Sequence, residues 1–291
     1  MIPKKSLGQN FLTNTGIVAS IVDAASLVAG ETVLEIGPGR GILTEELLKR
    51  NVRVIAVEKD GDLIPLLQEK FAKEIFEKRL TLIHDDVLNF QTLRTGVQPQ
   101  SGGKNNDGQY KLVANIPYYI TGQIIRKFLT SEKQPSKMVL LVQKEVAERI
   151  VARDGKESLL SLSVKAYGEP KYIKTVKAGS FTPAPSVDSA ILLIDNISRK
   201  FFDAGRGSPT PSETFRTGSE TRVRQETTLS QEERFFEILH AGFAHKRKQL
   251  FSNLRAVFDE NILRNKMKES GISETVRAED LSLSDWKKLS D

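Results

Sequence analysis

No cysteine occurs in the chain of 291 residues, and its three histidines, His84, His240 and His245, stand far apart. The first absence excludes disulfides, thiolate catalysis and cysteine-ligated zinc or iron–sulfur centres. The second leaves little material for a metal site, so none is expected. Long apolar runs are lacking too. No stretch reaches the roughly 20 residues that a membrane-spanning helix needs. The opening Met1-Ile2-Pro3-Lys4-Lys5 carries no apolar leader segment. A cytoplasmic protein without membrane contact is therefore expected. What remains is an ordinary globular balance, 39% hydrophobic and 27% charged residues, with 43 Lys and Arg against 37 Asp and Glu and a net charge of +6. Such a mild excess is compatible with a nucleic-acid partner but does not select one. The length admits one large or two modest domains.

Apolar runs read as strands at Thr32–Ile36, Val52–Val57, Leu80–Ile83, Leu112–Ala114 and Met138–Val142. Helical patterns follow or separate them at Ile42–Arg50, Leu63–Phe76, Gly122–Leu129 and Lys144–Val151. Strands alternating with helices predict right-handed βαβ units and a parallel sheet covered on both faces. Tyr172–Val176 and Ala190–Ile194 are expected to complete the sheet with an antiparallel edge. Two stretches read as insertions. Thr95–Gly108 is a polar, glycine-rich loop, and Asp203–Thr228 is a linker rich in Ser, Thr, Pro, Gly, Arg and Glu. Beyond it the pattern turns helical over Gln231–Phe243, His245–Phe258, Glu260–Glu269 and Leu283–Leu289. The expected division is therefore an α/β domain over 1–200, a linker over 201–230 and a small all-α domain over 231–291.

Chemistry concentrates where the strands end. Glu35-Ile36-Gly37-Pro38-Gly39-Arg40-Gly41 follows the first strand. A glycine-rich turn there lets backbone approach a ligand and starts a helix whose N-terminus favours negative groups. The spacing Gly37-x-Gly39-x-Gly41 is one residue shorter than the dinucleotide fingerprint and by itself marks only a turn. Glu58 lies 21 residues after Gly37, at the end of the second strand, where a carboxylate can accept both hydroxyls of a ribose. His84-Asp85-Asp86 follows the third strand. Either aspartate can accept from an adenine amino group, and either can equally cap a helix. These ends describe an adenosine site without choosing between a nicotinamide cofactor and S-adenosyl-L-methionine.

Asn115-Ile116-Pro117-Tyr118, after the fourth strand, makes that choice. The N6 of adenine is a poor nucleophile because its lone pair is delocalised into the ring. The Asn115 carboxamide oxygen and the Ile116 carbonyl can each accept one N6–H, Pro117 turns the chain, and Tyr118 can stack on the ring and favour positive charge beside it. No strong base is needed when the methyl group arrives already activated. The pattern points to methyl transfer onto a base nitrogen.

On these residues the chain resembles the small-subunit ribosomal RNA adenine dimethyltransferases along nearly its whole length. The matching segments are Lys5-Ser6-Leu7-Gly8-Gln9-Asn10-Phe11-Leu12, the Glu35–Gly41 turn, Asn115-Ile116-Pro117-Tyr118 and Phe181-Thr182-Pro183-Ala184-Pro185-Ser186-Val187-Asp188-Ser189. The resemblance implies a Rossmann-like S-adenosylmethionine-dependent methyltransferase sheet. It implies that Asn10 and Leu12 touch the cofactor, that Gly37 and Gly39 form its turn, and that Glu58 holds the ribose. It places Asp86 on the cofactor adenine and Asn115 at the methionine end beside the target amine. Phe181 is then a second aromatic wall opposite Tyr118. Phe243-Ala244-His245-Lys246-Arg247-Lys248, with Arg255, resembles the family's basic segment, so these four cations are expected to face RNA phosphates; Arg277–Ser282 matches its C-terminal bundle. The implied substrate is two adjacent adenosines near the 3′ end of small-subunit rRNA, in a pre-30S-type particle, acted on by a monomer. Three other readings stand beside it: a large-subunit adenine methyltransferase of the macrolide-resistance type, a non-catalytic RNA-binding assembly or transcription factor on the same fold, and, more distantly, a dehydrogenase.

Overall fold

The computed structural model describes residues 3–4, 7–90, 109–203 and 230–291. The expected loop Thr95–Gly108 lies outside the described residues, as does the expected linker 201–230 except for residues 201–203, which are helical, and Ser230, which caps a helix. The chain forms two compact units, one of residues 1–154 and 167–198, the other of residues 155–166 and 199–291. A single boundary near residue 200 therefore does not describe residues 155–166, which pack with the second unit.

The first unit opens with β1 (Phe11–Leu12) and α1 (Thr15–Ala25), whose first turn is capped by the Asn14 side chain accepting from the Ile17 N–H. Ile17, Val18, Ile21, Val22 and Ala25 recur at helical spacing and are buried. This helix is not among the sequence expectations, although the asparagine cap and the spacing announce it. There follow β2 (Thr32–Ile36), α2 (Ile42–Lys49), β3 (Arg53–Glu58), α3 (Ile64–Lys70), α4 (Ala72–Phe76), β4 (Leu80–His84), β5 (Tyr110–Asn115), α5 (Thr121–Leu129), β6 (Lys137–Gln143) and α6 (Lys144–Val151). After α7 (Leu159–Lys165), which belongs to the second unit, come β7 (Glu169–Val176), β8 (Phe181–Thr182) and β9 (Ser189–Asp195).

Seven strands make one sheet in the order β4-β3-β2-β5-β6-β9-β7. The five from β4 to β6 are parallel, and β9 and β7 close the edge antiparallel. This is the expected α/β architecture. Every residue of β2 is buried, as a strand covered by helices on both faces requires. One expected helix, Leu63–Phe76, is broken in two. At Phe71 the backbone leaves the helical region (φ −114°, ψ 26°), and the ring is buried beside Gly41 rather than left on a helix surface.

The second unit adds α8 (Lys200–Asp203), α9 (Gln231–Gly242), α10 (Leu250–Leu254), α11 (Glu260–Glu269) and α12 (Leu283–Ser290) to α7. Ser230 with Glu233 and Ser282 with Asp285 form capping boxes that start α9 and α12. Trp286 is fully buried and stacks on Phe243 at 5.5 Å, in space that exists only because residue 242 has no side chain. The helix expected over His245–Phe258 is reduced to α10. Residues 244–249 are an exposed loop instead, held by the buried Asn253, whose Nδ2 donates to the carbonyls of Gly242 (2.6 Å) and His245 (3.2 Å). No helix among the described residues is long and apolar enough to cross a membrane.

Candidate active site

Strand order reverses at β2, with β3 on one side and β5 on the other. In an open α/β sheet the carboxyl ends of two such strands diverge and leave a crevice. A cavity of about 300 Å³ opens there. Its walls are the segment Leu7–Leu12, the turn after β2, the end of β3, Asp85–Leu88 after β4, and Asn115–Ile120 after β5.

The glycine turn is left-handed at Gly37 (φ +65°), Gly39 (+58°) and Gly41 (+77°). At Gly41 and Gly39 the missing side chain makes room for Phe71 and Phe11. Gly37 is different, because a Cβ there would meet no protein atom closer than 3.9 Å, the Asn115 carbonyl. That empty cradle faces the cavity, which is the fit expected of a backbone built to let a ligand close in.

Glu58 is buried at the cavity edge and carries two backbone hydrogen bonds, Oε2 from the Gly39 N–H at 3.1 Å and Oε1 from the Asp60 N–H at 2.8 Å. Burial pushes its carboxyl up, and the backbone N–H groups of Asp60, Gly39 and Lys59 oppose that. A carboxylate has about four lone-pair sites, so acceptor capacity remains for ligand hydroxyls. Asp60, also buried, accepts from the Lys4 ammonium and from Gln9 Nε2 at 2.7 Å. Burial raises its carboxyl, and the Lys4 and Gln9 bonds more than offset this, leaving it below the usual range. The N-terminal segment is thus tied to the residue that also braces Glu58. Asp86 pairs with Lys59 at 2.8 Å, which holds its carboxyl below the usual range, and its Oδ1 accepts from the Leu88 N–H at 2.9 Å.

Asn115 ends β5 with its Nδ2 donating to the Asn10 carbonyl at 3.3 Å. Its Oδ1 accepts no hydrogen bond among the described residues. The amide is therefore oriented with its acceptor unpaired in a cavity wall. Ile116 lines the cavity although its side chain is buried. Pro117 (φ −58°, ψ 134°) turns the chain so that Tyr118, half-buried, also reaches the wall, its hydroxyl 2.7 Å from Ser189 Oγ. Burial pushes the Tyr118 phenol up, against the Ser189 bond, so the ring is neutral.

Asn10, Leu12, Gly37, Gly39, Glu58, Asp86, Asn115, Ile116, Pro117 and Tyr118 are all brought to one cavity. Phe181 is not. It is 4% exposed, packs in the hydrophobic core and pairs with Leu12 across the short β1–β8 ladder, so the second aromatic wall expected there is a core residue holding β1 in place. In the second unit, Lys246, Arg247 and Lys248 are exposed and form no ion pair among the described residues, whereas Arg255 pairs with Glu260 at 3.3 Å.

Glu35 carries a feature that no sequence expectation assigns. Its carboxyl is fully buried in β2 beside the Thr44 hydroxyl and near Glu58, without a hydrogen bond of ordinary geometry to either oxygen. The signal was an acid inside an otherwise apolar strand. Burial pushes it up to about 8, so the side chain is neutral at pH 7. Between about 4.5 and about 8 the unfolded chain releases this proton while the folded one keeps it, so stability falls as pH rises through that window. In thermal melts, Glu35→Gln is expected to remove part of that decline, and an unchanged pH slope would place the carboxyl in a wetter site.

A family model described as Ribosomal RNA adenine dimethylase matches residues 3–204. The ribosomal RNA small subunit methyltransferase A of Dehalococcoides mccartyi (strain CBDB1) is 40% identical over 98% of this chain and 87% of its own length. Its namesake in Clostridium botulinum (strain Okra / Type B1) is 37% identical over 99% and 92%. Among solved structures, a dimethyladenosine transferase from Plasmodium falciparum superposes with a TM-score of 0.69 at 23% identity, covering 96% of this chain and 95% of its own. The 23S rRNA methyltransferase ErmE gives 0.68 at 22%, covering 97% and 98%. At these identities the structures speak for the fold, and the sequences speak for the family.

Proposed function

The chain belongs to the ribosomal RNA adenine dimethylases, a family of S-adenosylmethionine-dependent enzymes, and from that membership we propose that it dimethylates N6 of two adjacent adenosines near the 3′ end of small-subunit rRNA, within a small-subunit ribosomal particle. The names of the 40% and 37% identical relatives support the small subunit. The observation that carries the chemistry is the Asn115 amide, pinned through Nδ2 with Oδ1 unpaired in the cavity wall.

S-adenosylmethionine, when bound, supplies a methyl group activated by its sulfonium. For that cofactor the open cradle at Gly37 would let the backbone come close, and Glu58 would accept from the ribose hydroxyls. Asp86, shared with Lys59, would accept from the cofactor's adenine amine, and Asn10 and Leu12 would contribute to the same wall. Asn115 Oδ1 and the Ile116 carbonyl would each accept a hydrogen bond from one N6–H of the target adenine, which favours a localised lone pair directed across the pocket. Tyr118 stacks on the extruded ring. These groups orient rather than react, an effect that reaches about 7–11 kcal/mol when alignment is good. Extrusion of the base costs a few kcal/mol, least for an unpaired loop base. Phe181 acts indirectly, by holding Leu12 and the rest of β1 against the pocket.

The helical unit serves the RNA backbone in this reading. Replacing Lys246, Arg247 and Lys248 together with Ala is expected to weaken subunit binding and to flatten the log–log salt dependence by about 2–3. A slope equal to that of the parent protein would return the loop to an ordinary solvated surface. The reaction itself is tested by incubating the protein with labelled S-adenosylmethionine and undermethylated small subunits, large subunits in parallel, and mapping the modified adenines. Label on two neighbouring adenines of the small subunit is expected. Label confined to the large subunit would move the activity there, and label in neither would leave a binding factor.

A further inference from the structure

Two successive tyrosines follow the end of β5, and their environments are opposite. Tyr118 is half-buried with its hydroxyl tied to Ser189, whereas Tyr119 is 61% exposed, although both line the cavity. An exposed tyrosine alone needs no explanation. This one is backed on one side only. Gly8, at φ +60°, lies so close that a Cβ on it would sit 3.2 Å from Tyr119 Cε1 and 3.4 Å from Cδ1, with Pro117 Cβ at 3.6 Å from that point. Glycine at position 8 lets the N-terminal segment support the ring, which leaves the rest of it open to solvent at the cavity rim. Lys59 stands exposed on the same rim, within electrostatic range of Tyr119.

Extruding one base strips its neighbour of a stacking partner, and a supported aromatic ring beside the pocket can replace it. Tyr118 cannot serve, since its ring is the wall for the extruded base. We propose that Tyr119 is a specificity-determining platform on which the nucleobase adjoining the target adenine stacks, with preference for a purine because of its larger π-face. This rests on the reading that the cavity receives an RNA adenine.

The experiment compares wild-type protein with Tyr119→Ala and Tyr119→Phe on undermethylated small subunits. The readouts are kcat/KM, affinity for S-adenosylhomocysteine, and the fluorescence of 2-aminopurine placed beside the methylated adenine. Tyr119→Ala is expected to lower kcat/KM by about 5- to 150-fold. It should also abolish the quenching of 2-aminopurine while lowering S-adenosylhomocysteine affinity by far less than kcat/KM. Tyr119→Phe, which keeps the ring, is expected to recover most of both signals. Unaltered kcat/KM and quenching in Tyr119→Ala would overturn the platform, as would a Phe variant as impaired as the Ala variant. A wild-type protein that methylates no adenine would instead remove the reading beneath it.

Discussion

Asn115→Ala is expected to reduce methyl transfer by about 10²–10³-fold, the loss typical when one preorganised hydrogen-bonding group aimed at the reacting centre is removed. Oδ1 has no partner among the described residues, while Nδ2 is spent on the Asn10 carbonyl at 3.3 Å. Truncation therefore removes the acceptor for the target amine and also releases one tie on the N-terminal segment. The second effect is small, because Lys4 and Gln9 still anchor that segment on Asp60. The two contributions separate experimentally. Single-turnover rates with labelled cofactor report the chemistry, and calorimetric titration with S-adenosylhomocysteine reports the pocket. A large loss in rate with little loss in affinity is expected. A rate within tenfold of the parent would take Asn115 out of the chemistry, and a comparable loss in both would make it a structural tie.

Gly41→Ala is expected to destabilise the first unit more than other single-methyl additions at its glycines. Residue 41 caps α2 from the left-handed region (φ +77°), which costs a side-chain-bearing residue about 1–2 kcal/mol. The added Cβ would lie 2.5 Å from Phe71 Cε2, 2.9 Å from Cζ and 3.1 Å from Leu67 Cδ2. Both of those side chains are buried, so they cannot swing into solvent. Overpacking of this kind adds about 1–3 kcal/mol. With about 2–4 °C of Tm per kcal/mol for a domain of this size, a fall of several degrees or more is expected in thermal melts. A melt indistinguishable from the parent would mean that Phe71 has somewhere else to go. Gly37→Ala makes a useful contrast, since its Cβ meets open cavity rather than a ring and should disturb ligand affinity more than packing.

Much of the site was legible because its parts are local. Gly37-x-Gly39-x-Gly41, Glu58, Asp86 and Asn115-Ile116-Pro117-Tyr118 each follow an apolar run, and parallel strands bring their carboxyl ends to one edge without further instruction. What misled was residue type without burial. Phe181 stands in a segment typical of a site wall, yet its ring is buried in the core, because β8 pairs with β1 and turns that side chain inward. Arg255 counts as a cation in the sequence but is paired with Glu260 in space. The helix expected over His245–Phe258 is shortened to α10, whose buried Asn253 donates instead to the carbonyls of Gly242, at the end of α9, and of His245. Glu35 and Tyr119 went unassigned for the opposite reason. Glu35 lies inside a motif that already had a use and Tyr119 directly follows one, and only exposure, 0% for one and 61% for the other, sets them apart.

The strands and helices of the first domain's sheet, the glycine turn and the amide–proline–tyrosine step are written in the chain itself, since hydrophobic periodicity and turn chemistry act over a few residues. Which polar groups are neutralised, paired or left unpaired is not. The bracing of Glu58 by Asp60, the tie of Asn115 to Asn10 and the protonation of Glu35 join residues from separate elements, and their charge and orientation follow from burial. Burial is a property of the assembled core, where removal from water and the nearest donor decide what each side chain can do.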